Sequence, residues 1–462
     1  MKHLAPVLVF AVLTASPALP EKVLLITGGT VVTVNANSSV IDDGAVAIKK
    51  DRITAVGPSD ALRKRFPDAE IYDAKGKVVM PGLVNAHAHV PMGLFRGIAD
   101  DLKLMDWLEN HIFPAEKANV DEEFVRWGTK LACLEMIRGG TTTFVDMYYF
   151  EDAIAEETAA CGLRAVLGQT LIDFPAPDFK TWEAATAGTA AFLKRWQDHP
   201  LITPAVAPHA PYTVSATHLQ EASRMAREAG VPLVMHLAED RAEVERILKE
   251  KNTTPVRYVD SLGILGDHVL AAHMIWPDDE EIAILAERGV GVAHCPQSNM
   301  KIAAGIAPVP KLLAAGVDVG LGSDGPASNN DVSIWEEADT AAKLHKVNTG
   351  DPTVINAREA LHMATLGGAR AIGQGDEIGS LEVGKRADII VVGLDGVHQT
   401  PLYNVTSSLI YATKSNDVEA VFVNGKLLYD QGRFLTVAAD EVLAKANEYR
   451  DRIRQSLAAA KN

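Results

Sequence analysis

The stretch Pro81–Asp101, PGLVNAHAHVPMGLFRGIADD, decides the fold: a short apolar run ends in two histidines two residues apart, and then the chain turns. A strand alternates its faces, so His87 and His89 project together at the strand's end. Two converging imidazoles suit a metal, but a lone pair is equally at home on a wet surface. The surrounding pattern has to choose between these.

Outward from that stretch, apolar strand-like runs alternate with amphipathic helical ones from Gly82 to about residue 330. The runs are GLVNAHA, TTTFVDM, RAVLGQTL, ITPAVAPHA, PLVMHLAE, HVLAAHM, GVGVAHC and VDVGLGSD. Between them, segments such as DEEFVRWGTKLACLEMIRGG and SATHLQEASRMAREAG carry helical spacing, an Asp or Ser cap and a terminal glycine. Strands that are apolar almost throughout, each followed by a helix, imply a parallel sheet buried on both faces. Eight of them predict a (β/α)8 TIM barrel over residues 81–375.

The flanks have another texture. KVLLITGGTVVTVNANSSVIDDGAVAIKKDRITAVG before the barrel, and GSLEVGKRADIIVVGL with VEAVFVNGKLLYDQGRF after it, are short β-branched runs broken by turn signals. The Asn424-Gly425 pair marks a tight hairpin. Residues 21–80 and 376–440 are therefore expected to form one small composite β-sandwich from both ends of the chain, with a C-terminal helix over 441–462. Residues 1–20, with Lys2, an apolar run and Ser16-Pro17-Ala18, have the form of a secretory signal peptide. That reading predicts export to the periplasm or medium; without it the protein is cytoplasmic. No later segment is long and apolar enough to cross a bilayer.

At 462 residues, 47% hydrophobic and 23% charged, the chain suits a barrel with an accessory domain. A formal net charge of −16 argues against nucleic acid as a partner, since phosphate contacts need a basic face. The partner is expected to be a small molecule, and nothing in the composition opposes a homo-oligomer. Cys133, Cys161 and Cys295 make no Cys-x-x-Cys pattern. The first two read as small core residues, while Cys295 follows His294 near a strand end and is a weaker candidate to line a site.

Active sites of such barrels gather at the C-terminal ends of the strands. Strand one ends in His87 and His89, strand four in His209, and strand five in His236 with Glu239 close behind. Strand six ends in His273, strand seven in His294 and strand eight in Asp324. A random scatter of 14 histidines would not load one edge so heavily. Imidazoles with one carboxylate suit zinc with an open position for water, which assigns His87, His89, His236 and Asp324 as ligands. Fe2+ or Mn2+ would fit the same donors. Zinc lowers the pKa of bound water from about 15.7 to about 7. Glu239, three residues past His236, is placed to shuttle the proton, the alternative being an acid at a helix N-terminus. His273 is assigned to the attacking water or the substrate, and His209 to the substrate. No His-x-Glu with Pro-Cys-x-x-Cys and no His-Glu-x-x-His occurs, which excludes the small zinc deaminases and most zinc proteases. The fourth strand offers no lysine to bridge two metals, so one divalent ion is expected.

These residues resemble the amidohydrolase superfamily, most closely the methylthioadenosine and S-adenosylhomocysteine deaminases. The resemblance spans nearly everything after the leader. It rests on the stretch from Pro81 through DWLENHIFPAE, and on FVDMYYF, HAPYTVS, HLAED, AAHMIW, NMKIAAGIAPVPKLL and GLGSDGPASNN. It implies the same four ligands, with Glu239 as acid–base group and His273 orienting the water. It further implies that Trp107 packs on the nucleoside, Glu116 binds ribose hydroxyls, His209 contacts substrate and Ser328 lines the pocket. Core packing for Trp107 and a helix cap for Ser328 are the plainer roles. One departure is Gln169, in LGQTLID, where relatives often carry an arginine for the nucleoside's polar tail. The expected activity is hydrolytic deamination of an adenosine derivative such as 5′-methylthioadenosine, S-adenosylhomocysteine or adenosine. Removal of an amino or chloro group from guanine, a triazine or another N-heterocycle is the alternative, and an exported, non-catalytic ligand-binding protein a remote one.

Overall fold

The computed structural model describes residues 22–459. The leader reading, residues 1–20, lies outside the described residues. Five strands come first: β1 (Leu24–Val32), β2 (Val40–Lys49), β3 (Arg52–Pro58), β4 (Glu70–Asp73) and β5 (Lys77–Pro81). Eight parallel strands follow, each laid beside its predecessor. They are β6 (Leu83–Ala88), β7 (Thr141–Tyr148), β8 (Arg164–Leu171), β9 (Ile202–Pro208), β10 (Leu233–Leu237), β11 (Val269–His273), β12 (Gly291–His294) and β13 (Val319–Leu321). The predicted strands are all present, and helices separate them. The chain ends with β14 (Ile389–Gly393), β15 (Val418–Val423), β16 (Lys426–Asp430), β17 (Arg433–Phe434) and a helix over Ala439–Ala459. No helix among the described residues is long and apolar enough to cross a membrane.

The local chemistry matches the expected Asp cap and glycine stops, whereas Ser215, at the N-cap of Ala216–Ala229, makes no side-chain cap hydrogen bond. Asp121 caps the helix Glu122–Gly139 by accepting from the Phe124 N–H, and Gly140 ends it at φ +80°, a conformation cheap only for glycine. That turn delivers the chain directly into β7. The barrel strands are buried along their length except at Thr203 of β9, as a sheet covered on both faces requires. Inside it Val84, Ala86, Val145, Met147, Val166, Ala205, Ala207, Val234, Leu270, Ala272 and Ala293 share one cluster. Between β13 and β6 the barrel closes through a single parallel bridge, Ala88 to Asp324, with the Asp324 N–H donating to the His87 carbonyl at 2.9 Å.

The remaining strands make one hydrogen-bonded sheet of nine, in the order β17-β16-β15-β14-β5-β1-β2-β3 with β4 beside β1. Its two wings share a core: Ile26, Val46 and Ile53 from one end of the chain pack with Ile389, Val391 and Phe422 from the other. Pro81 of β5 faces Ile389 of β14. At the junction with the barrel, a Cβ on Gly82 would lie 2.0 Å from Thr142 Oγ1, so only glycine fits. Arg164, at the start of β8, ties the two bodies together through Nε–H to Asp388 Oδ2 at 2.7 Å and Nη2–H to Oδ1 at 3.3 Å.

Candidate active site

Alternation inside the barrel decides which strand-end residues meet. On β9 the interior set runs Ala205, Ala207 and then His209; on β10 it runs Val234 and then His236. On β6, Val84 and Ala86 face inward, so strict alternation would turn His87 and His89 outward. An irregularity between Asn85 and Ala88, opposite only Phe144 to Asp146 on β7, restores them to the inside. This is the re-aiming that a bulge performs beside a functional site. His273 follows the inward Ala272 and is turned in by a left-handed φ of +73°; Asp324 has φ +60°. Such conformations in non-glycine residues persist only where surroundings enforce them.

The result is a compact donor cluster. His89 Nε2 lies 3.2 Å from Asp324 Oδ1, His87 Nε2 lies 3.5 Å from the same oxygen, and His236 Nε2 is 3.3 Å from His89 Nε2. One ligand atom each from His87, His89 and Asp324 falls within 4.8 Å of the others, and so does the set His87, His236 and His273. The Nδ1–H of His89 donates to the Met147 carbonyl at 2.7 Å and that of His236 to the His209 carbonyl at 2.9 Å, which leaves both Nε2 lone pairs facing the centre. Both ring nitrogens of His87 are buried and without a hydrogen-bond partner. Orphaned imidazole nitrogens converging with a carboxylate are what a divalent metal ion satisfies, and the residues present fit one.

Around this centre, Glu239 Oε1 lies 3.6 Å from His273 Nε2. Burial pushes the Glu239 carboxyl above the usual carboxylate range. His273 is held from behind, its Nδ1 2.9 Å from Asn299 Oδ1. Burial opposes ionisation of Asp324, yet the adjacent His87 and His89 imidazoles hold it well below the ordinary value. Its Oδ2 accepts from Ser298 Oγ at 2.6 Å and Ser328 Oγ at 2.9 Å. Glu243 accepts from the backbone N–H groups of Ala238 and Glu239 and fixes the turn that presents Glu239.

A cavity of about 60 Å3 opens over these groups and is lined by Trp107, Glu116, His209, Ser328 and Thr170 among others. Trp107 sits on a π-helical turn, Trp107–Ile112, with its indole N–H buried and unpartnered. Glu116 accepts from the Tyr148 hydroxyl at 2.7 Å; burial raises its carboxyl to about 7 against that hydrogen bond. Burial drives His209 down to about 3, so it is a neutral imidazole at neutral pH.

Not every strand-end residue joins. Gln169 does not line the cavity: Val166, Gly168 and Thr170 take the inward positions of β8, and the Gln169 amide donates instead to Asp178 Oδ2 at 2.8 Å. His294 follows the inward Ala293 and faces away, its Nε2 3.1 Å from that of His345. Cys295 is buried outside the cavity wall, and Ser328 spends its hydroxyl on Asp324. Reading the sequence did not find Ser298, Asn299, Tyr148 or Tyr212. The polar run Gln297-Ser298-Asn299, two residues past β12, was the available signal for the first two.

Residues 78–428 match the profile of the amidohydrolase family, and residues 44–69 that of an imidazolonepropionase-like composite domain of bacteria. The 5-methylthioadenosine/S-adenosylhomocysteine deaminase of Syntrophobacter fumaroxidans is 49% identical over 422 residues, 91% of this chain and 96% of that protein. Its namesake in Thermodesulfovibrio yellowstonii is 43% identical over 437 residues, 94% of this chain and 100% of that protein. Among solved structures, an adenosine deaminase from Xanthomonas campestris with bound zinc superposes with a TM-score of 0.92 at 42% identity, covering 94% of this chain and 98% of that one. An atrazine chlorohydrolase from Arthrobacter aurescens, complexed with zinc, gives 0.86 at 25% identity, covering 92% and 100%.

Proposed function

The chain belongs to the amidohydrolase family, and on that premise we propose that it is a metal-dependent hydrolytic deaminase. Its substrate is an adenosine derivative (5′-methylthioadenosine, S-adenosylhomocysteine or adenosine), converted to the inosine analogue and ammonia. The observation that carries the reading is the pairing of two kinds of group in one cavity. A buried acid, Glu239, faces His273 at 3.6 Å beside the donor cluster, and a tryptophan, Trp107, with a second buried acid, Glu116, lines the same cavity.

His87, His89, His236 and Asp324 would hold the metal, and zinc suits three imidazoles with one carboxylate. The solved relative from Xanthomonas campestris carries zinc as well. When bound, the ion supplies Lewis acidity that makes water nucleophilic near neutral pH. Everything else falls to the chain. Glu239 accepts a proton from the attacking water and returns it to the ring nitrogen next to the amine-bearing carbon. Burial raises its pKa and so favours the protonated form that delivers the proton. His273, fixed by Asn299, orients the water with its Nε2. Attack breaks the ring's aromaticity, so protonation of the ring nitrogen is where the catalysis concentrates. The proton of the added hydroxyl then passes to the amine, whose C–N bond breaks to release ammonia as the carbonyl forms. His209, kept neutral, lies against the base, Glu116 accepts from the ribose hydroxyls, and Trp107 covers the nucleoside and excludes bulk solvent.

The test is ammonia release across adenosine, 5′-methylthioadenosine, S-adenosylhomocysteine, guanine and a chlorotriazine, in wild type and Glu239→Gln. Wild type should deaminate the nucleosides and spare the free base and the triazine. The variant should keep its metal content and lose about 10^2–10^4-fold in kcat. Indifference to the ribose moves the assignment to a free heterocycle, and near-normal turnover by Glu239→Gln removes its role.

A further inference from the structure

Glu337 is a buried acid with no part in the chemistry above. It stands on the helix Ile334–Thr349, is 0% exposed, and has both carboxyl oxygens in use. Oε1 accepts from the Asn329 side-chain N–H at 2.6 Å, and Oε2 accepts from the Gln297 backbone N–H at 3.2 Å. Burying an acid is costly, and a donor on each oxygen is what offsets that cost. Glutamine has nearly the same shape but a single acceptor, so it would set its own N–H against one of the two donors.

The two donors belong to separate pieces of the site. Gln297 is the second residue of the short helix Pro296–Lys301, and the next two side chains are Ser298 and Asn299. Ser298 donates to Asp324, and Asn299 meets His273. Asn329 lies beyond Asp324 after β13, and its side-chain amide also donates to the Ser323 carbonyl at 2.7 Å. Ser323 in turn is locked to β6. Its N–H donates to Asn85 Oδ1 at 3.1 Å, the oxygen that also accepts from the His87 N–H at 3.3 Å. A second contact holds the helix of Glu337 against β12, where His345 Nε2 lies 3.1 Å from His294 Nε2.

We propose that Glu337 is a positioning residue for the metal centre. Its carboxyl bridges the helix Pro296–Lys301 to the turn that carries Asp324. The bridge sets the 2.6 Å bond from Ser298 Oγ to Asp324 Oδ2, which leaves Oδ1 facing His87 and His89. Glu337 does not line the cavity and acts only through Ser298 and Asn329. This role rests on the metal-dependent deaminase reading above and adds to it a residue from outside the cavity.

The test uses Glu337→Gln, Ser298→Ala and the double variant, with cooperative melting as the sign that each folds. Zinc affinity, read by competition with a chelator and without substrate, should fall about tenfold in Glu337→Gln. At saturating zinc, kcat for 5′-methylthioadenosine should fall about 10–100-fold, with KM within about twofold of wild type. In the Ser298→Ala background the same substitution should cost less than about threefold, because the bond it positions is already gone. Asn329→Ala removes the other end of the bridge; it should lose zinc affinity alike, and it decides the matter if Glu337→Gln does not fold. A folded Glu337→Gln with wild-type zinc affinity and kcat overturns the proposal. So does an undiminished loss in the double variant, or a rise in KM at unchanged kcat. A wild type that binds zinc but deaminates no nucleoside overturns the deaminase reading, and zinc affinity alone then decides the bridge. One that holds no zinc overturns both.

Discussion

Tyr148 shows how one hydroxyl tunes another residue's chemistry. It donates to Glu116 at 2.7 Å, and that bond favours the carboxylate in a place where burial favours the acid. A carboxylate that accepts from ribose hydroxyls must be ionised, so KM for a nucleoside should fall as pH rises through about 7, the value to which Glu116 is raised. In Tyr148→Phe the carboxylate loses its donor, so the inflection should move to higher pH. KM at pH 7 should rise by about ten- to a hundredfold, the worth of one hydrogen bond to a charged group, with kcat nearly unchanged. A pH–KM profile that keeps its inflection would remove Glu116 from ribose binding. At this scale the sequence was legible where a residue acts for itself: His87, His89, His236, His273 and Asp324 all converge. It was not legible where a residue acts through another. Ser298 and Asn299 only steady Asp324 and His273, and nothing in their own chemistry announces that duty.

Among the elements, all eight barrel strands could be read from apolar runs, but which face each strand-end residue takes could not be read from position alone. Gln169 and His294 stand at strand ends beside inward neighbours, and alternation turns them away. His87 and His89 would have gone with them but for the irregularity on β6, which the sequence does not signal. The joint between barrel and composite sheet was equally silent, because its key pair, Arg164 and Asp388, is more than two hundred residues apart in sequence. Both are buried, with side chains 8% and 3% exposed. Arg164→Met leaves the Asp388 carboxylate buried without its partner and should cost about 3–5 kcal/mol in denaturant unfolding. Arg164→Met with Asp388→Leu should recover most of that loss, because no uncompensated charge remains; a double variant as weak as the single one contradicts this account.

For the whole molecule, the donor cluster is also a fastening. His87 stands on the first barrel strand with His89 just past its end, and Asp324 follows the last, where one bridge closes the barrel. An ion held by these side chains binds only the closed form, so it stabilises the fold by mass action, by about 4 kcal/mol at a thousand times its dissociation constant. Stripping the metal with a chelator should therefore lower the melting temperature, and added zinc should restore it. His87→Ala should melt low and respond to neither. A chelated protein that melts with wild-type behaviour would mean that the seam holds without the ion. The composite of both chain ends was visible in the sequence as two stretches of similar texture, although the hydrogen-bonding order of its strands was not.

That order has a consequence for anyone who would cut the protein apart. Pro81 and Ile389 are direct partners in one ladder, and the Gly82 N–H reaches the Asp388 carbonyl at 3.0 Å. The barrel leaves the small sheet and returns to it at adjacent points, like a long parenthesis set between two neighbouring words. Trimming either flank would tear a strand from the other, whereas lifting out the whole parenthesis would ask only for a short splice.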